Sequence, residues 1–138
     1  MLCVLDCSAA LAWVLPGEAT DATNTLLTNV AEASAVVPGL WPLEVANVLR
    51  VAKRRGRISL ANRTQAMAML GDLPIQIDER RSALAFGPIS ALAAAWDLTV
   101  YDACYLEWAL RLGLPLASLD KRLSAAATGA GVKLVLTP

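Results

Sequence analysis

Short apolar segments alternate with helix-like segments along this chain, and this alternation limits the folds that it can adopt. The apolar segments are residues 2–6, 35–38, 74–78, 115–119 and 132–136. Short apolar strands that alternate with helices are typical of α/β proteins with a mostly parallel sheet. The sequence therefore predicts a layered α/β fold with about five short strands.

The segments between the strands carry helix signals. Residues 42–56 have a proline near the start and a glycine at the end, and residues 101–113 also end at a glycine, as is common in helices. Further helical segments are predicted at residues 9–15, 18–33, 59–73, 79–97 and 120–131, the fourth broken by a Gly-Pro pair. Because the 138 residues contain no repeat, low-complexity tract or linker, we expect a single domain over residues 1–138.

The composition excludes several classes of protein. Twelve acidic and 12 basic residues give zero net charge, which excludes a uniformly basic nucleic-acid binder but not a local basic patch. Histidine is absent, which removes the commonest general base, the serine-protease and papain types of triad, and nearly all zinc sites. The three cysteines, Cys3, Cys7 and Cys104, lack the spacing of a metal pair, and an odd number fits no closed disulfide framework.

No targeting or membrane segment is predicted. The uncharged run at residues 82–96 is too short to span a bilayer and contains Gly87 and Pro88. No Lys or Arg precedes the first apolar stretch, and Asp6 interrupts it, unlike in a secretory signal peptide. We therefore expect a reduced, cytoplasmic protein without membrane association.

Four carboxylates lie where an apolar segment ends or a helix begins. Asp6 ends the first strand, Asp120 follows the strand 115–119, and Glu44 and Asp102 lie in the first turns of predicted helices. Because sites in α/β sheets form beyond the carboxyl ends of the strands, the fold could gather all four. A plainer interpretation is helix capping, which contributes roughly 0.5–2 kcal/mol for each residue.

A cluster of four carboxylates would require more than capping. Two unit charges about 5 Å apart repel by roughly 3 kcal/mol at an effective dielectric of about 20, so the cluster needs raised pKa values or a bound cation. Oxygen ligands favour a hard cation, Mg²⁺ or Mn²⁺. Such an ion polarises a phosphoryl oxygen and lowers the pKa of water, so it can support phosphodiester hydrolysis without a histidine.

The sequences around the four carboxylates share the order and spacing of a known family. They are VLDCSAALAWVLPGE, VVPGLWPLEVANVLRVAKRRGRIS and LTVYDACYLEWALRLGLPLASLDKRLSAAATGAGVKLV. Together they resemble the PIN domain and, within it, the VapC-type toxins of bacterial toxin–antitoxin pairs, over nearly the whole chain but most weakly over residues 64–86. The resemblance implies a three-layer α/β/α fold with a central, mostly parallel sheet, and an Mg²⁺- or Mn²⁺-dependent endoribonuclease activity.

The resemblance also implies roles for the four carboxylates. Asp6 and Asp102 would be the main metal ligands, and Asp120 and Glu44 would complete the catalytic site directly or through water. Water activated by the metal ion would attack a phosphate of single-stranded RNA in line, while the charge on the phosphate oxygens is stabilised.

Several uncharged residues near the carboxylates match the family as well. Ser8, Asn47 and Ser118 would hold the carboxylates or waters in place, and Ser118 stands where threonine is more usual. Cys7 replaces the common alanine. We interpret Cys7 as a small buried filler rather than a nucleophile, because a neighbouring carboxylate should raise the pKa of its thiol.

Half of the basic residues fall between Arg50 and Arg63, at the end of the helix that carries Glu44 and in the turn that follows. They form either a solvated helix end whose cations complement the helix dipole or a rim that contacts RNA phosphates. The candidate RNA-binding residues, which include two beside Asp120, are Arg50, Lys53, Arg54, Arg55, Lys121 and Arg122.

The apolar content favours partners. Hydrophobic residues make up 57% of the chain, more than a small monomer needs, and the resemblance implies a homodimer and a cognate VapB-type antitoxin whose C-terminal segment lies near the site. Trp13, Trp41, Trp96 and Trp108 could stack on bases, but we expect them to pack in the core or in an interface.

Three other functions remain as alternatives. An aspartyl-phosphate phosphatase or receiver-like domain would favour Asp-x-Asp after the first strand, where this chain has Asp6, Cys7 and Ser8. An RNA-binding or scaffold protein with an inactive site would not require all four carboxylates. A DNA-directed or structure-specific nuclease would use the same scaffold, but the chain has no insertion that would grip a branched duplex.

Overall fold

The computed structural model describes residues 1–79 and 82–138. These residues form four strands, seven α-helices and one 3₁₀ helix, Ser82–Phe86. In chain order the strands and α-helices are β1 (Val4–Leu5), α1 (Cys7–Leu11), α2 (Asp21–Ala33), β2 (Ala35–Pro38), α3 (Trp41–Arg54), α4 (Leu60–Asp72), β3 (Ile75–Asp78), α5 (Pro88–Trp96), α6 (Val100–Leu112), β4 (Leu116–Ala117) and α7 (Lys121–Gly129).

The strands form one parallel sheet in the order β3-β2-β1-β4. Val4 of β1 pairs with Val36 of β2 on one side and with Leu116 of β4 on the other. Because the strands point the same way, their carboxyl ends lie along one edge of the sheet. Asp6 follows β1 and Asp120 follows β4 at that edge, as the strand pattern predicted.

The prediction of a fifth strand at residues 132–136 is wrong. An isolated parallel bridge between Leu116 and Leu134 takes its place. The backbone N–H of Leu116 donates to the carbonyl of Lys133 at 2.8 Å, and the N–H of Val135 donates to the carbonyl of Leu116 at 2.9 Å. The segment therefore runs beside β4 for one bridged pair only, because β4 itself is two residues long, and the sheet has four strands rather than about five.

Helix α6 lies against the sheet and organises one side of the fold. It packs on β1, β2 and β4, and α5 and α7 pack on α6. Its buried residues include Ala103, Tyr105, Leu106 and Trp108. Away from these contacts, α1 packs on α3 and α3 packs on α4. The predicted arrangement of a parallel sheet flanked by helices is confirmed.

Local capping explains where several helices begin. Helix α2 begins at Asp21 rather than at residue 18, because Thr20 and Thr23 form a reciprocal capping box at its start. Helix α1 begins at Cys7 and ends at Leu11, so it is shorter than the predicted segment 9–15 at its carboxyl end. The Gly-Pro break ahead of α5 is present, and residues 80–81 of the predicted segment 79–97 lie outside the described residues.

The tryptophans contribute mainly to packing. Trp41 and Trp108 are buried, whereas Trp96 is 37% exposed. The indole N–H of Trp13 donates to the carbonyl of Thr23 at 2.7 Å. Within the described residues, none of the helices combines the length and the apolar character that crossing a membrane requires.

Candidate active site

Asp6 is held by two hydroxyl groups at the end of β1. The hydroxyl groups of Ser8 and Ser118 donate to Oδ2 of Asp6 at 2.6 and 2.7 Å, and Asp6 is only 4% exposed. Burial raises the pKa of Asp6, the two hydroxyl groups and the N–H of Cys7 oppose that rise, and repulsion from Asp120 adds to it. Asp6 precedes α1 but makes no side-chain capping bond to it, so helix capping does not account for this carboxylate.

The same two serines join the ends of β1 and β4. The backbone N–H of Leu119 donates to Oγ of Ser8 at 2.9 Å, and the N–H of Asp120 donates to Oγ of Ser118 at 3.0 Å. Ser118 is fully buried. Each serine therefore links Asp6 to the segment that carries Asp120, and the two carboxylates are held in a fixed relation.

Asp120 has a clear structural role. Its Oδ1 accepts a hydrogen bond from the N–H of Leu123 at 2.9 Å and so caps α7. The capping interpretation therefore applies to Asp120. No hydrogen bond joins Oδ2 of Asp120 to the part of the chain that the structure describes, so this second oxygen is free to bind another group.

Asp102 lies in the first turn of α6 without capping the helix. Thr99 is the capping residue, because its Oγ1 accepts the N–H of Asp102 at 3.1 Å. Burial raises the pKa of Asp102, and repulsion from Asp120 and Asp6 raises it further, whereas Thr99 and Arg122 lower it. Asp102 is therefore close to both other aspartates without serving as the helix cap.

Glu44 accepts a hydrogen bond from a residue that sequence reasoning missed. The hydroxyl group of Tyr105 donates to Oε1 of Glu44 at 2.5 Å. Burial raises the pKa of Glu44, the Tyr105 hydroxyl lowers it, and repulsion from Asp6 and Asp102 raises it. The sequence signal that could have drawn attention to Tyr105 was its spacing from Asp102. Tyr105 follows Asp102 by three residues on α6, so the two residues share a face of the helix.

Cys7 lies among the carboxylates. Burial raises the pKa of its thiol, and repulsion from Asp6, Glu44, Asp102 and Asp120 raises it further. All four carboxylates therefore disfavour the thiolate form of Cys7. Cys7 is half-buried, and its raised pKa agrees with the interpretation of an unreactive filler.

Asp6, Glu44, Asp102 and Asp120 form what we call the acidic cluster. The negative charges of these carboxylates repel one another. Within residues 1–79 and 82–138, however, no three Asp, Glu or Cys side chains lie close enough together to hold a metal ion in the present conformation. The chemistry of the donors nevertheless fits a hard divalent cation. All the donor atoms are carboxylate oxygens. Burial raises the pKa of three of the four residues, Asp6, Glu44 and Asp102, and a bound cation would relieve the repulsion between the carboxylates.

The other predicted site residues are exposed. Asn47 lies on α3 and makes no side-chain hydrogen bond within the described part of the chain. Arg122 forms an ion pair with Asp97, at 2.8 Å from Nη2 to Oδ2. The four basic residues at the carboxyl end of α3, which we call the basic rim, are all exposed: Arg50, Lys53, Arg54 and Arg55. Lys121 is exposed at the start of α7.

A family model of the PIN domain matches residues 3–129. Ribonuclease VapC1 of Mycobacterium tuberculosis is 35% identical over 130 residues, which cover 90% of each chain. The chain belongs to the PIN domain family. Ribonucleases of this family are generally dependent on a divalent metal ion.

Solved structures have the same fold. A protein of Pyrobaculum aerophilum, PAE2754, superposes with a TM-score of 0.69 at 24% identity, covering 89% of this chain and 84% of the other. A toxin–antitoxin complex from Klebsiella pneumoniae superposes with a TM-score of 0.64 at 16% identity, covering 99% of both chains. At these identities the likeness establishes the fold alone.

Proposed function

We propose that this protein is a metal-dependent endoribonuclease and the toxin of a VapBC-type toxin–antitoxin pair. The observation that carries the proposal is the acidic cluster at the carboxyl edge of the sheet, in which Asp6 is buried and bound by two serines instead of capping a helix. The relative named Ribonuclease VapC1 supports the choice of RNA as substrate.

The acidic cluster would hold Mg²⁺ or Mn²⁺. Asp6 and Asp102 would be the main ligands, and Glu44 and Asp120 would complete the site directly or through water. When bound, such an ion acidifies a water molecule and polarises the phosphate oxygens of the substrate. Oδ2 of Asp120 is suited to this role because the capping bond to α7 uses only Oδ1.

The neighbouring polar residues would orient the cluster. Ser8 and Ser118 both donate to Oδ2 of Asp6, so Oδ1 would be the oxygen that Asp6 offers to a metal ion. Asn47, which is exposed, would bind a water or substrate group. The two serines would keep the Asp6 carboxylate oriented even when no cation balances its negative charge.

The basic rim would bind the RNA backbone. Three of its four exposed cations lie on α3, the helix whose first turn carries Glu44, and Arg55 directly follows that helix. These cations would contact phosphates beside the acidic cluster. Lys121 and Arg122 would contribute near Asp120, although Arg122 also pairs with Asp97. Cations at this position would offset the repulsion between RNA and the carboxylates.

Four further proposals concern the domain organisation of the protein and the setting in which it works. The toxin–antitoxin complex of Klebsiella pneumoniae supports a VapB-type antitoxin as partner. Exposed apolar side chains such as Phe86, at 99%, and Leu43, at 75%, support a homodimer, which sedimentation velocity would test. Three free cysteines support a reduced cytoplasmic location, and the hydrophobic cluster that extends from Cys3 to Leu136 supports a single domain over residues 1–138.

Cleavage of a mixed cellular RNA pool by purified protein without antitoxin tests the function. The reaction is run with Mn²⁺, with Mg²⁺ and with EDTA, and Asp6→Asn is compared with Asp21→Asn, an Asp-to-Asn change at an exposed position on α2. We expect discrete cuts that require the metal, persist in Asp21→Asn and disappear in Asp6→Asn. Cleavage that survives in Asp6→Asn or in EDTA would contradict the proposal.

A further inference from the structure

Tyr105 is a fully buried tyrosine whose hydroxyl group ends at the acidic cluster. Its side chain is 0% exposed, and its hydroxyl donates to Oε1 of Glu44 at 2.5 Å. Within residues 1–79 and 82–138 no other side chain forms a hydrogen bond with Glu44. The contact joins α6 to the first turn of α3, between residues 61 positions apart in the sequence.

We propose that Tyr105 is a positioning residue that holds the Glu44 carboxylate at the acidic cluster. The inference rests on the proposed function, because it assigns the role of Tyr105 through a carboxylate of the proposed metal site. Tyr105 does not touch the substrate or the ion in this assignment. It acts through the orientation of Glu44.

Repulsion explains why Glu44 needs such a partner. Asp6 and Asp102 both repel Glu44, and Glu44 is only half-buried in the first turn of α3. A glutamate has three rotatable side-chain bonds and would relieve this repulsion by turning towards water. A hydrogen bond from a hydroxyl group to a carboxylate is short and strong enough to oppose that rotation.

The position of Tyr105 makes its hydroxyl group a fixed point. The ring lies in the hydrophobic core, and α6 packs directly on the sheet. Asp102 precedes Tyr105 by three residues on the same face of α6. A single rigid helix therefore carries one carboxylate of the acidic cluster and the hydroxyl group that orients another.

A purely structural role for the contact makes a different prediction. A buried tyrosine usually finds an acceptor for its hydroxyl group, and Glu44 could serve only to satisfy Tyr105. In that case, removing the hydroxyl group would change stability and leave the properties of the acidic cluster intact. The two roles therefore differ in metal affinity, in kcat and in the position of the Glu44 carboxylate.

Tyr105→Phe tests the proposal, with Tyr101→Phe as the matched control. Tyr101 is on the same helix but is 64% exposed. We expect Tyr105→Phe to fold, to bind Mn²⁺ about 10-fold more weakly in calorimetry, and to lower kcat by a similar factor. KM for RNA should stay near the parent value, because the basic rim is unchanged, and Tyr101→Phe should match the parent in all three measurements.

A double-mutant cycle with Glu44→Gln separates positioning from packing. Glutamine keeps an acceptor for the Tyr105 hydroxyl group but lacks the charge. If Tyr105 acts through the Glu44 carboxylate, Tyr105→Phe should change Mn²⁺ affinity less than about 2-fold in the Glu44→Gln background. An equal effect in both backgrounds, or a parent-like Mn²⁺ affinity and kcat in Tyr105→Phe, would overturn the proposal.

A crystal structure of Tyr105→Phe gives a readout that needs neither metal nor RNA. We expect the Glu44 carboxylate to leave the position next to residue 105 and to turn towards solvent. An unchanged Glu44 side chain would overturn the inference. Failure of the parent protein to cleave RNA would instead contradict the proposed function, and the structure of the variant would still decide the role of Tyr105.

Discussion

Oγ of Ser118 lies 2.7 Å from Oδ2 of Asp6, although 112 positions separate the two residues in the sequence. The contact brings the ends of β1 and β4 together, and Ser8 donates to the same carboxylate oxygen from the start of α1. A carboxylate that is buried near other acidic residues would be unfavourable without such donors. The serines therefore make the burial of Asp6 possible.

Ser118→Ala should lower the free energy of unfolding by about 1–3 kcal/mol, because it removes a hydrogen-bond donor from a buried carboxylate. Urea denaturation of the metal-free protein measures the change. Ser124→Ala is the matched control, since Ser124 is equally buried but its hydroxyl has no partner within the described residues. A loss of stability in Ser124→Ala that equals the loss in Ser118→Ala would contradict this explanation.

The sequence was sufficient to predict the layered parallel fold and the placement of Asp6 and Asp120 at the carboxyl edge of the sheet. Apolar runs followed by carboxylates indicate strand ends, and parallel strands end at one edge of the sheet. The prediction of a fifth strand was wrong because the apolar pattern of residues 132–136 does not reveal that this segment forms only one bridged pair with β4. Strand pairing depends on the length of the partner, which no local pattern contains.

Contacts between distant side chains were the other limit of prediction. The hydrogen bond between Tyr105 and Glu44 joins α6 to α3, so its two residues carry no common local signal. The capping bond of Asp120, in contrast, is a local contact. It joins residues three positions apart and could be predicted from the local sequence. Local rules thus identified where the carboxylates lie, whereas tertiary packing determined which residues hold them.

The metal-free protein should become less stable as the pH rises from weakly acidic towards neutral. Burial raises the pKa of Asp6, Glu44 and Asp102 in the folded state, so the folded state binds more protons than the unfolded chain in this window. The contribution of these groups is fully present below their ordinary pKa values and is lost as the pH passes through their raised values. Urea denaturation at a series of pH values measures the slope.

Asp6→Asn should flatten this pH dependence. It should also raise the free energy of unfolding of the metal-free protein at pH 7 by about 1 kcal/mol, because it removes a buried charge and keeps an oxygen that accepts from Ser8 and Ser118. Asp21→Asn, at an exposed position, should leave the slope unchanged. A slope in Asp6→Asn equal to that of the parent would show that Asp6 is not among the groups responsible.

Gly129→Ala should destabilise the protein by about 1–2 kcal/mol, because the added methyl group would overpack against a ring. A Cβ at this position would lie 2.5 Å from Cζ3 of Trp96. Gly71→Ala on α4 meets no atom within 4 Å and should stabilise by about 0.5–1 kcal/mol through the higher helix propensity of alanine. Thermal unfolding of both variants measures the contrast, and a stabilising Gly129→Ala would disprove the close packing.

All three thiols should resist alkylation by iodoacetamide at pH 7.5 in the native protein. Burial raises the pKa of Cys3 to about 12 and that of Cys104 to about 11, and burial together with the acidic cluster raises the pKa of Cys7. Because the thiolate is the reactive form, mass spectrometry should find no modified cysteine until the protein is unfolded in urea. Rapid native labelling of Cys7 would contradict its role as an inert filler.

Replacing Lys53, Arg54 and Arg55 by alanine should reduce the salt dependence of RNA binding. If the basic rim contacts phosphates, the loss of three cations should make the negative slope of log binding constant against log salt concentration shallower by about 2 for single-stranded RNA. The measurement uses the Asp102→Asn background, in which cleavage should not consume the RNA, and a series of salt concentrations. Lys133→Ala, at an exposed position near the end of the chain, is the control and should leave the slope unchanged. An unchanged slope in the triple variant would show that the basic rim does not contact RNA phosphates.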